Sequence, residues 1–434
     1  MPTLQVITLG CSKNTVDTEH LLAQARGTYE ILPEDYDGAV DWLLINTCAF
    51  IGDAKEQSVN TILEQVATGR AGKVLVFGCL SQRYMDQLPS LIPEVDGWYG
   101  ARDLAPVLEA LGITPDPALA TSRYRPKAPY AYLKISEGCD RRCSYCAIPG
   151  IRGAHRSVPM EDLVEEGSRL AGEGVRELVL IAQDTTYYGL DLYRRRALAE
   201  LLRRLSAVEG IEWIRVHYSY PADFPEDVLD EMAENPKVCR YMDIPLQHVS
   251  DKVLSNMHRG VDGAWTRNLI RKMRERVPGI VLRTTLIVGH PGEGEEEFSE
   301  LLDFVREARF ERLGAFTYSE EEGTWGAEHL RDSVPAATKQ ERLTQLMELQ
   351  RGISFAYNSS RVGDRVKVLA DTLSDGVYVC RSEFESPEVD GEILMRYSPL
   401  MGPDPGAAVG RFIWAEITQA GEYDLVAEFK EFVK

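Results

Sequence analysis

The feature that most constrains this chain is a unit repeated three times in its first hundred residues: an apolar run, a short turn and a helical stretch. Leu4 to Leu9 precedes a helix pattern over Thr15 to Arg26, Trp42 to Asn46 precedes one over Ala54 to Thr68, and Lys73 to Phe77 precedes one over Gln82 to Leu91. Strand, turn and helix in that order predict a parallel sheet with right-handed crossovers. Each turn carries a cysteine just past the carboxyl end of its strand: Cys11, Cys48 and Cys79. Open α/β sheets bind ligands along that edge, so the topology predicts that three cysteines distant in sequence converge on one site. A single buried cysteine is ordinarily a small hydrophobe. Three in the same topological slot, out of eight in 434 residues, point to ligands instead. The run Gly10-Cys-Ser-Lys-Asn14 also admits a reading as an anion-binding turn at a helix N-terminus.

A second cysteine group is local. Cys139, Cys143 and Cys146 lie within Glu137-Gly-Cys-Asp-Arg-Arg-Cys-Ser-Tyr-Cys-Ala-Ile-Pro-Gly150, a loop short enough to wrap one site. Iron-sulfur clusters of the 4Fe-4S type normally take four cysteine thiolates, so a triplet leaves one iron without a local protein ligand and open to chemistry. A zinc site would call for two Cys-x2-Cys knuckles or a knuckle and a histidine pair, and neither follows here. A disulfide framework belongs to oxidising compartments. Cys239 and Cys380 fall outside both groups and read as structural.

The alternation resumes after a proline-bearing stretch from Pro115 to Pro129 that reads as a linker. Strands are predicted at Ala131 to Ser136, Glu177 to Ala182, Glu212 to Val216, Tyr241 to Ile244, Val281 to Val288 and Arg312 to Thr317, with helix patterns such as Met160 to Ala171 and Glu295 to Ala308 between them. Six β/α units predict a partial TIM-like barrel, and the Cys139 group follows its first strand, at the face where such barrels hold their active sites. Gln183 and Asp184 close the second strand and are ligand-contact candidates; a turn or helix cap is the alternative. The run from Gly289 to Glu293 has the same two readings. His248 reads as structural or as a proton carrier. Ala336 to Asn358 predicts an amphipathic helix, with Leu343, Leu346, Met347, Leu349 and Ile353 on its apolar face. After Gly363 the pattern changes to alternation punctuated by Asp375-Gly376 and Asp390-Gly391, which predicts a small antiparallel β-barrel. The resulting domains are 1–120, 125–360 and 363–434. No side chain is singled out as catalytic.

Charge narrows the partners. The net charge is -20. Residues 1–120 hold 7 Lys+Arg against 16 Asp+Glu, residues 121–362 hold 34 against 38, and residues 363–434 hold 7 against 14. Nucleic-acid binders present a basic face to phosphates, so acidic outer domains favour a basic protein partner. The apolar run from Trp42 to Ile51 is too short to span a bilayer, and Met-Pro-Thr-Leu-Gln-Val lacks the basic start of a signal peptide. A soluble, cytoplasmic protein is expected.

The x3, x2 triplet with Tyr145 before its last cysteine resembles the radical S-adenosylmethionine (SAM) signature. With the three-cysteine α/β domain before it and the small barrel after it, the whole chain resembles the methylthiotransferase family, whose last module is a TRAM domain. Gly10-Cys-Ser-Lys-Asn-Thr-Val-Asp-Thr-Glu19, Tyr132-Leu-Lys-Ile-Ser-Glu-Gly-Cys139, Gln183-Asp-Thr-Thr-Tyr-Tyr-Gly-Leu-Asp191, Tyr241-Met-Asp-Ile-Pro-Leu-Gln-His248 and Leu282-Arg-Thr-Thr-Leu-Ile-Val-Gly289 are similar to the branch that modifies an aspartate of ribosomal protein S12. The branches acting on tRNA adenosine usually show Gln-Asn where this chain has Gln183-Asp184; tRNA is the alternative substrate. Ser12 and His290 depart from the proline and the aromatic expected in the S12 branch. The resemblance implies two 4Fe-4S clusters, one on Cys11, Cys48 and Cys79 and one on Cys139, Cys143 and Cys146. It implies SAM as radical source and methyl donor, with Gln183 and Asp184 as SAM contacts. It implies S12 as partner, free or in the small ribosomal subunit, with a sulfur donor and an electron donor besides.

Overall fold

The computed structural model describes residues 1–433. They form two compact units. Unit 1 gathers Met1–Pro126, Lys134–Arg169 and Ser319–His329, and unit 2 gathers Lys127–Leu133, Leu170–Tyr318 and Leu330–Lys434.

In unit 1 the strands β1 (Thr3–Thr8), β2 (Glu30–Ile31), β3 (Val40–Thr47), β4 (Ala71–Gly78) and β5 (Gly97–Trp98) form a parallel sheet in the order β2-β1-β3-β4-β5. Both faces are buried, so the central strands are apolar almost throughout rather than alternating. Leu43, Ile45, Val74 and Val76 enter one core with Ile62 of helix α2 (Gly52–Thr68) and Leu80 of α3 (Cys79–Tyr84). Leu44, Leu75 and Phe77 enter the opposite core with Leu21 of α1 (Ser12–Ala25) and Val107. Helix α1 starts three residues before the predicted position because the Cys11 carbonyl already accepts the Asn14 N–H, at 2.8 Å. The helix predicted from Gln82 to Leu91 is broken: α3 ends at Tyr84 and a separate turn spans Leu88–Leu91. Pro89 has no N–H to continue a helix from Tyr84 and stands instead in the first turn of the short segment, where it is tolerated. The stretch read as a linker is anchored at Arg123, which is buried and ion-paired to Glu19 and to Glu166.

Unit 2 carries the six-stranded sheet, in the order β13-β12-β11-β10-β9-β6, from β6 (Tyr130–Lys134, whose last residue falls in unit 1), β9 (Glu177–Ile181), β10 (Trp213–Val216), β11 (Val238–Asp243), β12 (Val281–Val288) and β13 (Arg312–Thr317). The pairs from β9 to β13 are parallel. β7 (Ser136–Glu137) and β8 (Arg156–Ser157), in unit 1, form a small antiparallel pair instead. A closed barrel follows, β14-β15-β16-β18-β17, from β14 (Arg365–Ser374), β15 (Val377–Arg381), β16 (Ile393–Arg396), β17 (Phe412–Ala420) and β18 (Leu425–Phe432). Closure leaves no unpaired edge. Its interior is filled by Val368, Tyr378, Ile393, Ile413, Ile417 and Leu425. Phe412, on the outer face of β17, stacks edge-on against Trp213 of β10 at 4.7 Å.

The long helix Ala336–Ser360 buries a stripe at helical spacing, but the stripe is mostly polar: Lys339, Arg342, Leu346, Gln350, Ile353, Ser354 and Asn358. Leu343, Met347 and Leu349 are only half-buried. The polar members survive burial because each finds a partner. Lys339 donates to the Tyr318 carbonyl at 3.1 Å, Arg342 pairs with Glu293 at 2.8 Å, and Gln350 donates to the Phe310 carbonyl at 2.9 Å. Among the described residues no helix is long and apolar enough to cross a membrane.

Candidate metal centre

The parallel sheet of unit 1 delivers the three predicted cysteines to one edge. Cys11 is the N-cap of α1, Cys48 directly follows β3, and Cys79 opens α3. They converge because the turns are stitched together by side chains. The Asn14 amide donates to the carbonyls of Leu9 at 2.8 Å and Thr47 at 3.0 Å. Asn46 donates back to the Asn14 carbonyl at 2.9 Å, and the Thr47 hydroxyl donates to the Phe77 carbonyl at 2.7 Å. Ser58, fully buried on α2, accepts from the Cys48 N–H at 3.1 Å and donates to the Cys48 carbonyl at 2.9 Å. The approach is close enough to require glycine before Cys11. Gly10 has φ +96°, and a methyl group there would lie 2.7 Å from the Cys48 β-carbon.

The thiols of this dispersed triad lie within each other's electrostatic reach. Burial pushes Cys79 up to about 11, offset in part by Arg152, with Cys48 and Cys11 adding to the rise. Burial also raises Cys48, and Cys11 adds to that. Cys11 is exposed at the surface. The rise its crowded surroundings would impose is outweighed by the positive charges of Lys13 and Arg152, so its pKa falls below the ordinary thiol value. The triad thus sets one thiol of lowered pKa beside two of raised pKa, and metal binding takes all three as thiolates.

The contiguous triad lies in the same compact unit. Cys139, Cys143 and Cys146 are all half-buried. The loop is closed by the Cys139 N–H donating to the Gly153 carbonyl at 3.0 Å and the Cys146 N–H donating to the Cys143 carbonyl at 3.1 Å. Gly138, with φ +78°, passes so close to the Ala154 carbonyl that a methyl group would be 2.1 Å away. Among the described residues no three His, Cys, Asp or Glu side chains converge tightly enough to hold a single metal ion. A 4Fe-4S cube binds each thiolate at a separate iron and takes thiols spaced around it, and two all-thiol triads suit such thiophilic clusters.

Beside the dispersed triad lies a group of charged side chains that no local sequence pattern announces. Arg152, 2% exposed, donates from Nε to the Cys79 sulfur at 3.2 Å. It donates from Nη1 to Asp17 at 2.8 Å and Glu137 at 3.2 Å, and from Nη2 to Asn14 at 2.6 Å. Lys134 bonds both carboxylates, reaching Glu137 at 2.8 Å. Burial alone would raise Asp17 and Glu137, but Lys134 and Arg152 hold both below the ordinary carboxylate range.

The other predicted residues lie in unit 2. Gln183 and Asp184 follow β9. Asp184 is buried and caps the next turn, accepting from the Thr186 N–H at 2.9 Å and hydroxyl at 2.6 Å. His248 is fully buried, accepting from the Ser250 N–H at 3.0 Å and lying 3.3 Å from Glu293. Burial drives His290 down to about 4, against its ring's contact with the Pro291 carbonyl. Cys239 is buried beneath the small barrel with Trp213 and Tyr241, its thiol pushed up to about 12 by burial, and Cys380 is inside that barrel. Both cysteines are buried among apolar side chains, which suits a structural part. Sequence reasoning gave no weight to Tyr218 and Gln247, whose positive φ of 56° and 72° places strained backbone just after β10 and β11. Such strain gathers at functional sites, and neither residue type signals it in advance.

This fold and its thiol chemistry define a radical SAM protein with a second cysteine-bearing α/β domain and a terminal β-barrel. Comparison with known proteins agrees. The Radical SAM superfamily matches residues 133–305, the uncharacterized protein family UPF0004 matches residues 3–100, and the TRAM domain matches residues 362–429. The ribosomal protein uS12 methylthiotransferase RimO of Porphyromonas gingivalis is 52% identical over 430 residues, 98% of each chain. The protein of the same name from Bacteroides thetaiotaomicron is 48% identical over 431 residues, again 98% of each chain. Among solved structures, the radical SAM methyltransferase TsrM from Kitasatospora setae superposes with a TM-score of 0.55 at 14% identity, covering 93% of this chain and 86% of its own. The cobalamin-dependent radical SAM enzyme OxsB gives 0.51 at 14% identity, covering 81% and 56%. These structural likenesses bear on the fold. The full-length relatives decide the family: the chain belongs to the RimO family of uS12 methylthiotransferases.

Proposed function

We propose that this chain is a radical SAM methylthiotransferase that adds a methylthio group to the β-carbon of an aspartate in ribosomal protein uS12. The observation that carries the reading is the presence of two complete cysteine triads in a chain 52% identical over its length to a uS12 methylthiotransferase. When bound, the 4Fe-4S clusters and SAM supply one-electron cleavage of the sulfonium, hydrogen abstraction from the substrate carbon, and sulfur and methyl donation. Cys139, Cys143 and Cys146 hold the SAM-cleaving cluster in this reading. Cys11, Cys48 and Cys79 hold the cluster that serves sulfur transfer.

The chain's own residues position and exclude. Gly10, Asn14 and Ser58 set the spacing of the dispersed triad, and Gly138 sets the entry to the contiguous one. Gln183 is proposed as a SAM contact, as is Asp184 through whatever hydrogen-bonding capacity its cap leaves. Reactive carbon centres must be kept from water and stray hydrogen donors, which is the protein's main contribution to such chemistry. The proposed modules are residues 1–120, 125–360 and 363–434, and the acidic third module, with 7 basic and 14 acidic residues, suits a basic protein substrate better than tRNA phosphates. A sulfur donor, an electron donor and a cytoplasmic site of action complete the reading.

The test is anaerobic reconstitution with iron and sulfide, then turnover with SAM, a reductant and either uS12 or unmodified tRNA, followed by mass spectrometry. A methylthio group on a uS12 aspartate is the expected product. Modification of tRNA adenosine alone would overturn the assignment.

A further inference from the structure

We propose that Arg152 is a positioning residue that, by donating a hydrogen bond to the Cys79 sulfur, raises the reduction potential of the cluster held by Cys11, Cys48 and Cys79. The proposal rests on the reading of those three cysteines as cluster ligands.

The geometry is specific to a guanidinium. Arg152 lies six residues beyond Cys146, yet its side chain reaches into the other triad. Nε donates to the Cys79 sulfur at 3.2 Å, Nη1 to Asp17 at 2.8 Å and to the Ala101 carbonyl at 3.3 Å, and Nη2 to Asn14 at 2.6 Å. Asn14 in turn holds the carbonyls of Leu9 and Thr47, the backbone just before Cys11 and directly before Cys48. Arg152 thus touches the Cys79 sulfur directly and the turns of Cys11 and Cys48 through Asn14. Its fifth partner, Glu137 at 3.2 Å, stands two residues before Cys139. A planar fork can satisfy these directions at once, whereas an ammonium is a point donor on a flexible stem.

Charge bookkeeping shows why the contact matters electrostatically. Arg152 and Lys134 are balanced by Asp17 and Glu137. The group is therefore neutral before any thiolate is counted, and Arg152 remains able to attract negative charge on sulfur without itself being an unpaired buried ion. Hydrogen bonds to the sulfurs and nearby charge are among the levers that set iron-sulfur potentials. A positive donor on a ligating sulfur favours the reduced, more negative cluster.

The experiment is a potentiometric titration of the reconstituted holoenzyme followed by electron paramagnetic resonance, in wild type, Arg152→Gln and Arg152→Lys, with iron measured in each. The Cys143→Ala holoprotein, retaining only the cluster of the dispersed triad, assigns that signal. The expected result is that Arg152→Gln keeps two clusters' worth of iron but shifts the assigned signal to a lower potential, leaving the other in place, and that Arg152→Lys recovers part of the shift. Unchanged potentials at full iron content would overturn the proposal, as would iron loss in both Arg152 variants, which would make the residue a scaffold only. Failure of the underlying reading has a separate signature: Cys79→Ala would then keep full iron and both signals.

Discussion

The cysteine-bearing edge of unit 1 and the charged floor under the small barrel of unit 2 both bury ionisable groups, and they treat them differently. At the thiol edge, Cys11 is exposed and its pKa lowered while Cys48 and Cys79 are buried and raised, and a glycine with positive φ sits tight against Cys48. Arg152 there donates to the Cys79 sulfur as well as to the Asp17 carboxylate. Under the barrel every strong charge already has its counter-charge. Glu177 accepts from Arg215 at 2.7 Å and Arg381 at 2.6 Å, and Arg381 also pairs with Asp371. Glu385 takes Arg312 and Arg361, while Tyr241 donates to Asp390 at 2.6 Å. A paired network of this kind is costly to break. A lowered thiol pKa and a tight glycine contact mark the edge where chemistry is expected, and charge pairing marks the place where one element must be fixed on another.

The largest expected effect tests that division directly. Cys143→Ala should abolish SAM cleavage, measured as loss of methionine and 5′-deoxyadenosine formation. Cys48→Ala should leave cleavage running and lose only methylthio transfer. Loss of cleavage in both at matched iron loading at Cys139, Cys143 and Cys146 would erase the proposed distinction between the triads.

Next in size, Glu177→Ala leaves the fully buried Arg215 without its carboxylate and should cost about 3–5 kcal/mol, read as a lowered urea midpoint with iron content after reconstitution unchanged. A drop in iron content would tie the floor to the thiol edge and break the contrast.

Acid should weaken the floor by a similar amount. Burial would raise Glu385, but Arg361 and Arg312 more than reverse this and hold it at about 2, against an ordinary 4.5. The unfolded chain therefore takes up this proton first, so stability present above pH 4.5 is lost as pH falls toward 2, on the order of 3 kcal/mol in full. His290 adds an earlier loss of the same sign. It stays neutral in the fold down to about 4, whereas the unfolded side chain protonates near 6.5. Urea midpoints measured across these two windows, with Glu385→Gln and His290→Gln flattening one each, check the assignment.

Gly10→Ala should cost about 1–3 kcal/mol in backbone strain and displace Cys48, so reconstituted protein should hold less iron at the dispersed triad while SAM cleavage persists. The smallest effect belongs to the surface. Arg271 and Glu275 pair at 2.6 Å with both side chains largely exposed, and Arg271→Ala should move stability by no more than about 0.5 kcal/mol. A larger change would show that exposed pairs share the work assigned here to buried ones.

Much of the fold was legible because periodicity is local. The strands at Val281–Val288 and Arg312–Thr317 and the helix Glu295–Ala308 appear where apolar spacing placed them, and the cysteine after each early strand marked the sheet edge. The long helix shows where that reasoning stops. Its span was readable, but Leu343, Met347 and Leu349 proved peripheral, and Lys339, Arg342 and Gln350 are buried instead. Hydrophobicity ranks a lysine outside, and the Tyr318 carbonyl and Asp332 carboxylate waiting at the far side reverse that ranking.

Residue order alone determined the β/α succession, the closing barrel and the six cysteines in two groups of three, since each follows from spacing within a few turns of chain. Tertiary structure decided which polar side chains are drawn inward. Arg152 finds Cys79, Asp17 and Asn14 at separations of 73, 135 and 138 residues. No local pattern encodes such partners, because the free energy of burying a charge depends on what the completed fold sets opposite it.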